Sequence, residues 1–309
     1  MLQFLQSLPS PIAQGMIWGI MAIGVYITFR ILDVADLTVD GTLGLGGAVL
    51  VVLTTGGVNI WLSLFIAFIA GCIAGLITGV LHTKFGIPAI LAGILTQLAL
   101  YSITLHIMSD RANTPISRRN YKLIVTSLTT SLPKTILVSA AFVAVIIALL
   151  YWFFGTELGR GLRATGCNPA MAKANGINID TQKIIGLVLS NGLVAMSGGL
   201  LAQFSGNADV NMGKGAIVIG LAAVIIGEVV FGKIFKNFAL RLVAVVLGAI
   251  IYYIVITAVL RFGRNFGLTT NDLKLVTAVI VAIFLGIPYW KKKYTEKNIG
   301  KSKGGKADA

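Results

Sequence analysis

Long apolar runs, repeated from one end of the chain to the other, decide the fold class before any motif is read. A helix that crosses the hydrocarbon of a bilayer needs roughly 20 consecutive apolar residues. Nine stretches meet or approach that length: residues 13–31, 37–54, 60–81, 88–107, 135–154, 183–203, 215–231, 239–260 and 272–288. Only 12% of the 309 residues are charged, where a soluble domain carries about one quarter. The bilayer is therefore the solvent for most of the chain. Inside it only helices or closed barrels satisfy the backbone. The sequence predicts an all-α, polytopic membrane helix bundle of about 8–10 spans, forming one domain over residues 1–290. A basic tail over 291–309 carries seven Lys against two acids and lacks apolar periodicity, so it is expected to be disordered and to lie against anionic lipid. The N-terminal stretch has no basic region ahead of its apolar run, so that run reads as a retained span rather than a cleaved signal peptide.

Two spans are weak. "ADLTVDGTLGLGGAVLVVLT" holds two Asp and four Gly, and "GAIVIGLAAVIIGEVVF" is short and interrupted by Gly220 and Gly227. Both are candidates for broken or re-entrant helices. A pair of such segments, one in each half, points to a transport path. The alternative is tight helix packing through small residues, which the 36 glycines also favour. Polar groups at membrane depth are functional candidates by default. Asp40 and Thr42 of the first weak span, Gln97 of "ILTQLALY" and Asn191 of "VLSNGLV" are the candidates for a solute path. Each has a structural alternative: a helix cap for Asp40, interhelical hydrogen bonding for Gln97 and Asn191. Asp33 and Asp36 are expected at the interface near Arg30, and Glu228 is expected to pair with Lys233 or Lys236.

Net charge is +14. In a soluble chain that would raise nucleic acid as a partner. Here Lys and Arg sit in short connectors and the tail, so nucleic acid is set aside. Cys72 and Cys167 form neither a disulfide framework nor a metal motif, and His82 and His106 lack companions at ligand spacing; no metal site is expected. No phosphate-binding "GxxxxGK[ST]" occurs, and no nucleophile–base set suggests catalysis in the membrane.

The connector 155–182 is the most patterned polar segment. "TELGRGLRATG" is read as a short helix stopping at Gly166. In "NPAMAKANG", Asn168 suits an N-cap, Pro169 the first helical position and Gly176 the left-handed residue past the end. Asp180 and Thr181 are expected to cap the next span. A connector that only had to be soluble would not need two specified ends. A short, doubly capped helix suits docking into a groove.

Gly159-Arg160, Arg163-Ala164, Gly166, Asn168-Pro169, Ala172 and Gly176-Ile177-Asn178 resemble the cytoplasmic loop of permease subunits in bacterial ABC importers of the branched-chain amino acid and ribose type. "GGLLAQFSG" and "DLTVDGTLGLGGAV" extend the likeness over roughly residues 30 to 260. "ADLTVDGT", "HTKFGIPAILAGILTQLALYSI" and "RAN" are similar to permeases paired with a tryptophan/tyrosine-type binding protein.

The resemblance implies a type II-like importer permease without ATPase motifs, paired with a second copy. Its loop, with Pro169, Ala170, Met171, Ala172 and Lys173, would seat in a cytosolic ABC ATPase that holds ATP and Mg. An extracytoplasmic binding protein would dock on the opposite face. The implied location is the bacterial cytoplasmic membrane with a cytosolic C-terminus. The implied cargo is an aromatic or other amino acid. A sugar or nucleoside importer, or an ion-coupled secondary transporter, are the alternative readings.

Overall fold

The computed structural model describes residues 8–117, 121–127, 132–235 and 237–263, with residues 275, 277–279, 281–283 and 286 beyond them. The chain divides into two compact units, Met1–Ile254 and Val255–Ala309. The tail and most of the expected ninth span lie outside the described residues.

The described elements are almost all helical. α1 (Pro9–Tyr26) runs on as a π-helical turn, Ile27–Ile31. There follow α2 (Val39–Thr55), α3 (Ile60–Thr83) and α4 (Ala89–Ile107), then a short strand β1 (Asn113–Pro115) and α5 (Leu132–Gly155). Two small helices, α6 (Glu157–Cys167) and α7 (Pro169–Ala174), precede α8 (Ile179–Ser205). Strand β2 (Asn207–Asp209), α9 (Ala216–Phe231) and α10 (Phe238–Gly263) complete the order. β1 and β2 pair antiparallel, Asn113 opposite Asp209. Among the described residues, six helical stretches are long and apolar enough to cross a membrane, while α2 and α9 are shorter apolar helices.

The first weak span is not broken within itself. α2 is continuous over 17 residues, and the irregular chain precedes it at residues 32–38. Asp33 takes a left-handed φ of 56° there. Nor does α9 break at Gly220 or Gly227. Gly220 faces Met21 and Val25 of α1, and Gly227 faces the backbone of Ala244 in α10. These glycines serve close helix packing.

α8 is the axis of the bundle and packs against α1, α2 and α3. A Cβ at Gly198 would collide with the carbonyl of Leu43, and one at Gly46 with that of Ala195. Reciprocal glycines thus bring α2 and α8 to backbone contact. Hydroxyls bridge where α8 meets α1: Ser190 donates to Gly24 O (2.8 Å) and Ser197 to Ile17 O (2.8 Å). Such bonds contribute roughly 0.6 kcal/mol each in a membrane bundle. They favour one register more than they add stability.

Contacts sort the helix ends onto two sides. Gly166 presses on Ile31, Lys183 reaches His82 (3.2 Å), and Phe154 meets Phe238. The ends of α1, α3 and α5 and the starts of α8 and α10 therefore share a side with α6 and α7. Tyr121 donates to Thr55 O (3.2 Å), placing the end of α2 on the opposite side, where the strands lie.

Candidate functional site

On the loop side, local sequence builds the two small helices. The Thr156 side chain accepts the Gly159 amide at the start of α6 (3.4 Å). α6 does not stop at Gly166 but continues to Cys167. Gly166 is a packing residue instead: a Cβ there would enter the carbonyl of Ile31. Asn168 Oδ1 accepts the Met171 amide (3.1 Å), Pro169 opens α7, and Gly176 lies past its end at φ 78°. The cap of α8 is Asn178, whose Oδ1 accepts the Thr181 amide (3.2 Å); Asp180 sits in the first turn rather than at the cap.

The two helices present distinct faces. Gly159, Gly161, Leu162 and Thr165 are buried, and Arg160 is exposed. The Arg163 guanidinium lies 4.0 Å from the ring centroid of Phe238 and 5.2 Å from that of Phe154. Burial there, the largest influence, lowers its pKa below the ordinary guanidinium value. This cation–π stack ties α6 to the end of α5 and the start of α10. In α7, Pro169, Ala170, Met171 and Lys173 are exposed, Met171 at 63%, whereas Ala172 is 2% exposed. Ala172 is therefore part of the support and not of the outward face, a correction to its expected place in a docking contact.

Beside this loop lies a cavity of about 660 Å³ lined by Tyr26, Arg30, Asp33, Arg163, Gly166 and Arg241, among others. Glu228 pairs here with Arg30 (Nε–Oε1 2.8 Å), not with Lys233; Lys236 is outside the described residues. The pair joins residues 198 apart in sequence. Local charge spacing gives no signal for it.

Deeper in the bundle the polar candidates separate into two groups. Asp36 is 3% exposed rather than interfacial. Its carboxylate accepts from Asn191 Nδ2 (2.7 Å) and from the Thr38 amide (2.9 Å). Thr42 donates to Asn191 Oδ1 (2.7 Å), and Asn191 also donates to Leu187 O (3.0 Å). A hydroxyl ladder, Thr38–Thr78–Thr96 at 2.8 and 2.9 Å, links the start of α2 to α3 and α4. Thr42 and Asn191 are both wholly buried in this network.

Asp40 and Gln97 are brought together elsewhere. They line a cavity of about 230 Å³ with Leu98, Tyr101, Thr104 and Lys214. The Asp40 carboxylate accepts the amides of Gly215 (2.8 Å) and Ile217 (2.9 Å). It caps α9, a helix from the other half of the chain, and not the turn that follows it in sequence. α2 and α9 thus start from one point and run apart, α2 toward Thr55 on the strand side and α9 toward Glu228 on the loop side. Lys214 Nζ stands 5.5 Å from the Tyr101 ring centroid. Neither Lys214 nor Tyr101 was marked by sequence. The signal available was a lone Lys between two glycines just ahead of a short apolar helix.

A buried axial helix, six long apolar helices among the described residues, two short helices with meeting N-termini and a capped loop helix together make a polytopic membrane bundle. The profile of the family described as "Branched-chain amino acid transport system / permease component" matches residues 9–288, and the chain belongs to that family. It is 40% identical over 276 residues to the tyrosine transport system permease protein of Clostridioides difficile, covering 89% of each chain. A ribose import permease of Haemophilus influenzae is 27% identical, over 58% of this chain and 55% of that one. Among solved structures, PsaBC from Streptococcus pneumoniae in complex with Fab shares the fold at TM-score 0.50 and 17% identity, covering 91% and 90% of the two chains. An ABC transporter described as of metal-chelate type, in an inward-facing conformation, does so at 0.51 and 15%, over 92% and 85%. The chain is a multi-pass permease of an ABC transporter, as its loop resemblance implied.

Proposed function

We propose that this permease forms the membrane path of an ATP-driven importer for an aromatic or other small amino acid, working as a pair of identical copies. The α6–α7 loop faces the cytosol and seats in an ABC ATPase that binds ATP and Mg. An extracytoplasmic binding protein delivers the solute on the strand side, and the C-terminal tail is cytosolic. The observation that carries this reading is the build of α7. Both of its ends are fixed by sequence, Ala172 anchors it inward, and Met171, exposed at 63%, leads an outward face with Pro169, Ala170 and Lys173. Met fills irregular grooves well. The identity to a tyrosine permease supports the amino-acid cargo.

Replacing Met171 by Glu tests the reading, because it places a charge on the outward face without touching the support. ATPase association and ATP-driven tyrosine uptake are expected to fall while the bundle still folds. Wild-type association by Met171→Glu would remove α7 as the coupling element. Sidedness is read at Cys167, an exposed thiol. It should resist an impermeant thiol reagent in intact cells and react in inverted vesicles.

A further inference from the structure

We infer that the cavity between α2, α4 and the start of α9 is a binding site for a free amino acid in its zwitterionic form, so that the permease itself selects for that class. This rests on the importer reading above and adds a site to it.

The argument starts from charge. The Arg30–Glu228 salt bridge pairs its two charges with each other, at a different cavity. Here one small cavity holds both a carboxylate, Asp40, and an ammonium, Lys214. A carboxylate offers about four acceptor positions. The amides of Gly215 and Ile217 each take one position, on opposite oxygens of Asp40, and the Ala216 amide bears on the same carboxylate, which leaves room for one further donor. Lys214 carries three donors and stacks on Tyr101. A solute bearing adjacent ammonium and carboxylate groups matches the pair: ammonium toward Asp40, carboxylate toward Lys214. A neutral sugar matches neither charge.

Size and walls agree. The volume of about 230 Å³ is below the roughly 300–1,000 Å³ of sites for drug-sized ligands and suits a single amino acid. Tyr101 and Leu98 supply an aromatic and an aliphatic wall for the side chain, and Gln97 an amide to orient the polar end. A Cβ on Gly41 would stand 3.1 Å from Gln97 Cα and 3.2 Å from Leu100 Cβ. That close approach of α2 to α4 keeps the cavity small. The meeting of two short helices at a solute site is the arrangement transporters use to bring helix N-termini to a charged ligand.

The experiment is equilibrium binding of radiolabelled L-tyrosine to the full-length chain in lipid nanodiscs, with no binding protein present. Competitors are tyramine, which lacks the carboxylate, 3-(4-hydroxyphenyl)propionate, which lacks the amine, and D-ribose. Saturable tyrosine binding is expected, with each single-charge analogue weaker by about tenfold or more and ribose inert. Lys214→Gln should weaken tyrosine by about tenfold and leave tyramine unchanged. Because Lys214 is exposed and holds no backbone group, loss of folding does not confuse this variant. Asp40→Asn also gives up one of the two amides at the start of α9, and it should weaken tyramine more than the propionate. Absence of saturable tyrosine binding, or equal tyrosine affinity in wild type and Lys214→Gln, overturns the site. If ATP-driven tyrosine uptake with the partner subunits persists in that case, the importer reading stands and only the site falls. If that uptake is also absent and ribose is carried instead, both fall.

Discussion

Asp36 and Asp40 are four residues apart, one in the irregular chain ahead of α2 and the other in its first turn, yet they do opposite work. Asp36 is turned into the bundle, 3% exposed, and its oxygens are held by Asn191 and the Thr38 amide. Asp40 is turned toward a cavity and holds the first amides of α9. One network is closed, with its groups paired within the chain; the other keeps acceptor and donor capacity for something else. Buried polar networks that are fully paired specify a unique packing, while partly committed ones mark places where a ligand can bind. The residue type is the same, and the neighbours brought from the other half of the chain decide the role.

That contrast predicts how substitutions should divide. The largest effect on folding is expected from Asp36→Leu, which leaves the Asn191 amide and the Thr38 N–H without their acceptor. A loss of about 2–3 kcal/mol is expected, read as a lower unfolding temperature of the purified protein, with uptake per folded molecule near wild type. Next, Arg163→Gln removes the stack on Phe238 and Phe154. About 1–2 kcal/mol should be lost, and ATP turnover should become less responsive to solute because α6 is no longer tied to α5 and α10. Thr42→Val should cost about 1 kcal/mol with the signature of Asp36→Leu, since it unpairs Asn191 Oδ1. Gln97→Leu should have the smallest effect on stability, under about 0.5 kcal/mol, and instead slow uptake. Were Gln97→Leu to lower the unfolding temperature as much as Thr42→Val while uptake stayed intact, the two networks would be one kind of thing and the comparison would fail.

The same comparison shows what could be read from sequence. α7 was legible because its signals are local: Asn168, Pro169 and Gly176 lie within nine positions and each satisfies a backbone requirement of its own. Which face α7 turns inward was not legible, because in a six-residue helix the burial of Ala172 and the exposure of Met171 depend on what lies beneath. The membrane class followed from the length of the apolar runs. The pairings of Asp36 with Asn191, Arg30 with Glu228 and Asp40 with Gly215 span 155 to 198 positions, and no periodicity encodes them. Even burial escaped hydropathy. The apolar 18-residue windows of α8 and α4 have similar mean hydropathies of 1.9 and 1.7, yet 72% of one window and 28% of the other is buried. The small and polar residues of α8 are the better guide, since they mark backbone contact and hydrogen bonding between helices.

The non-helical chain at residues 32–38 bears on how the bundle can change shape. Where α1 gives way to this segment the helical hydrogen-bond ladder stops, and Ile31 and Asp33 there border the 660 Å³ cavity. Gly166 touches Ile31 at the edge of that gap. Under the proposed coupling, a displacement of α6 would therefore reach a stretch of chain that no helical hydrogen-bond ladder stiffens. There the wall can yield by rotating a few backbone angles, without sliding one close-packed helix over another.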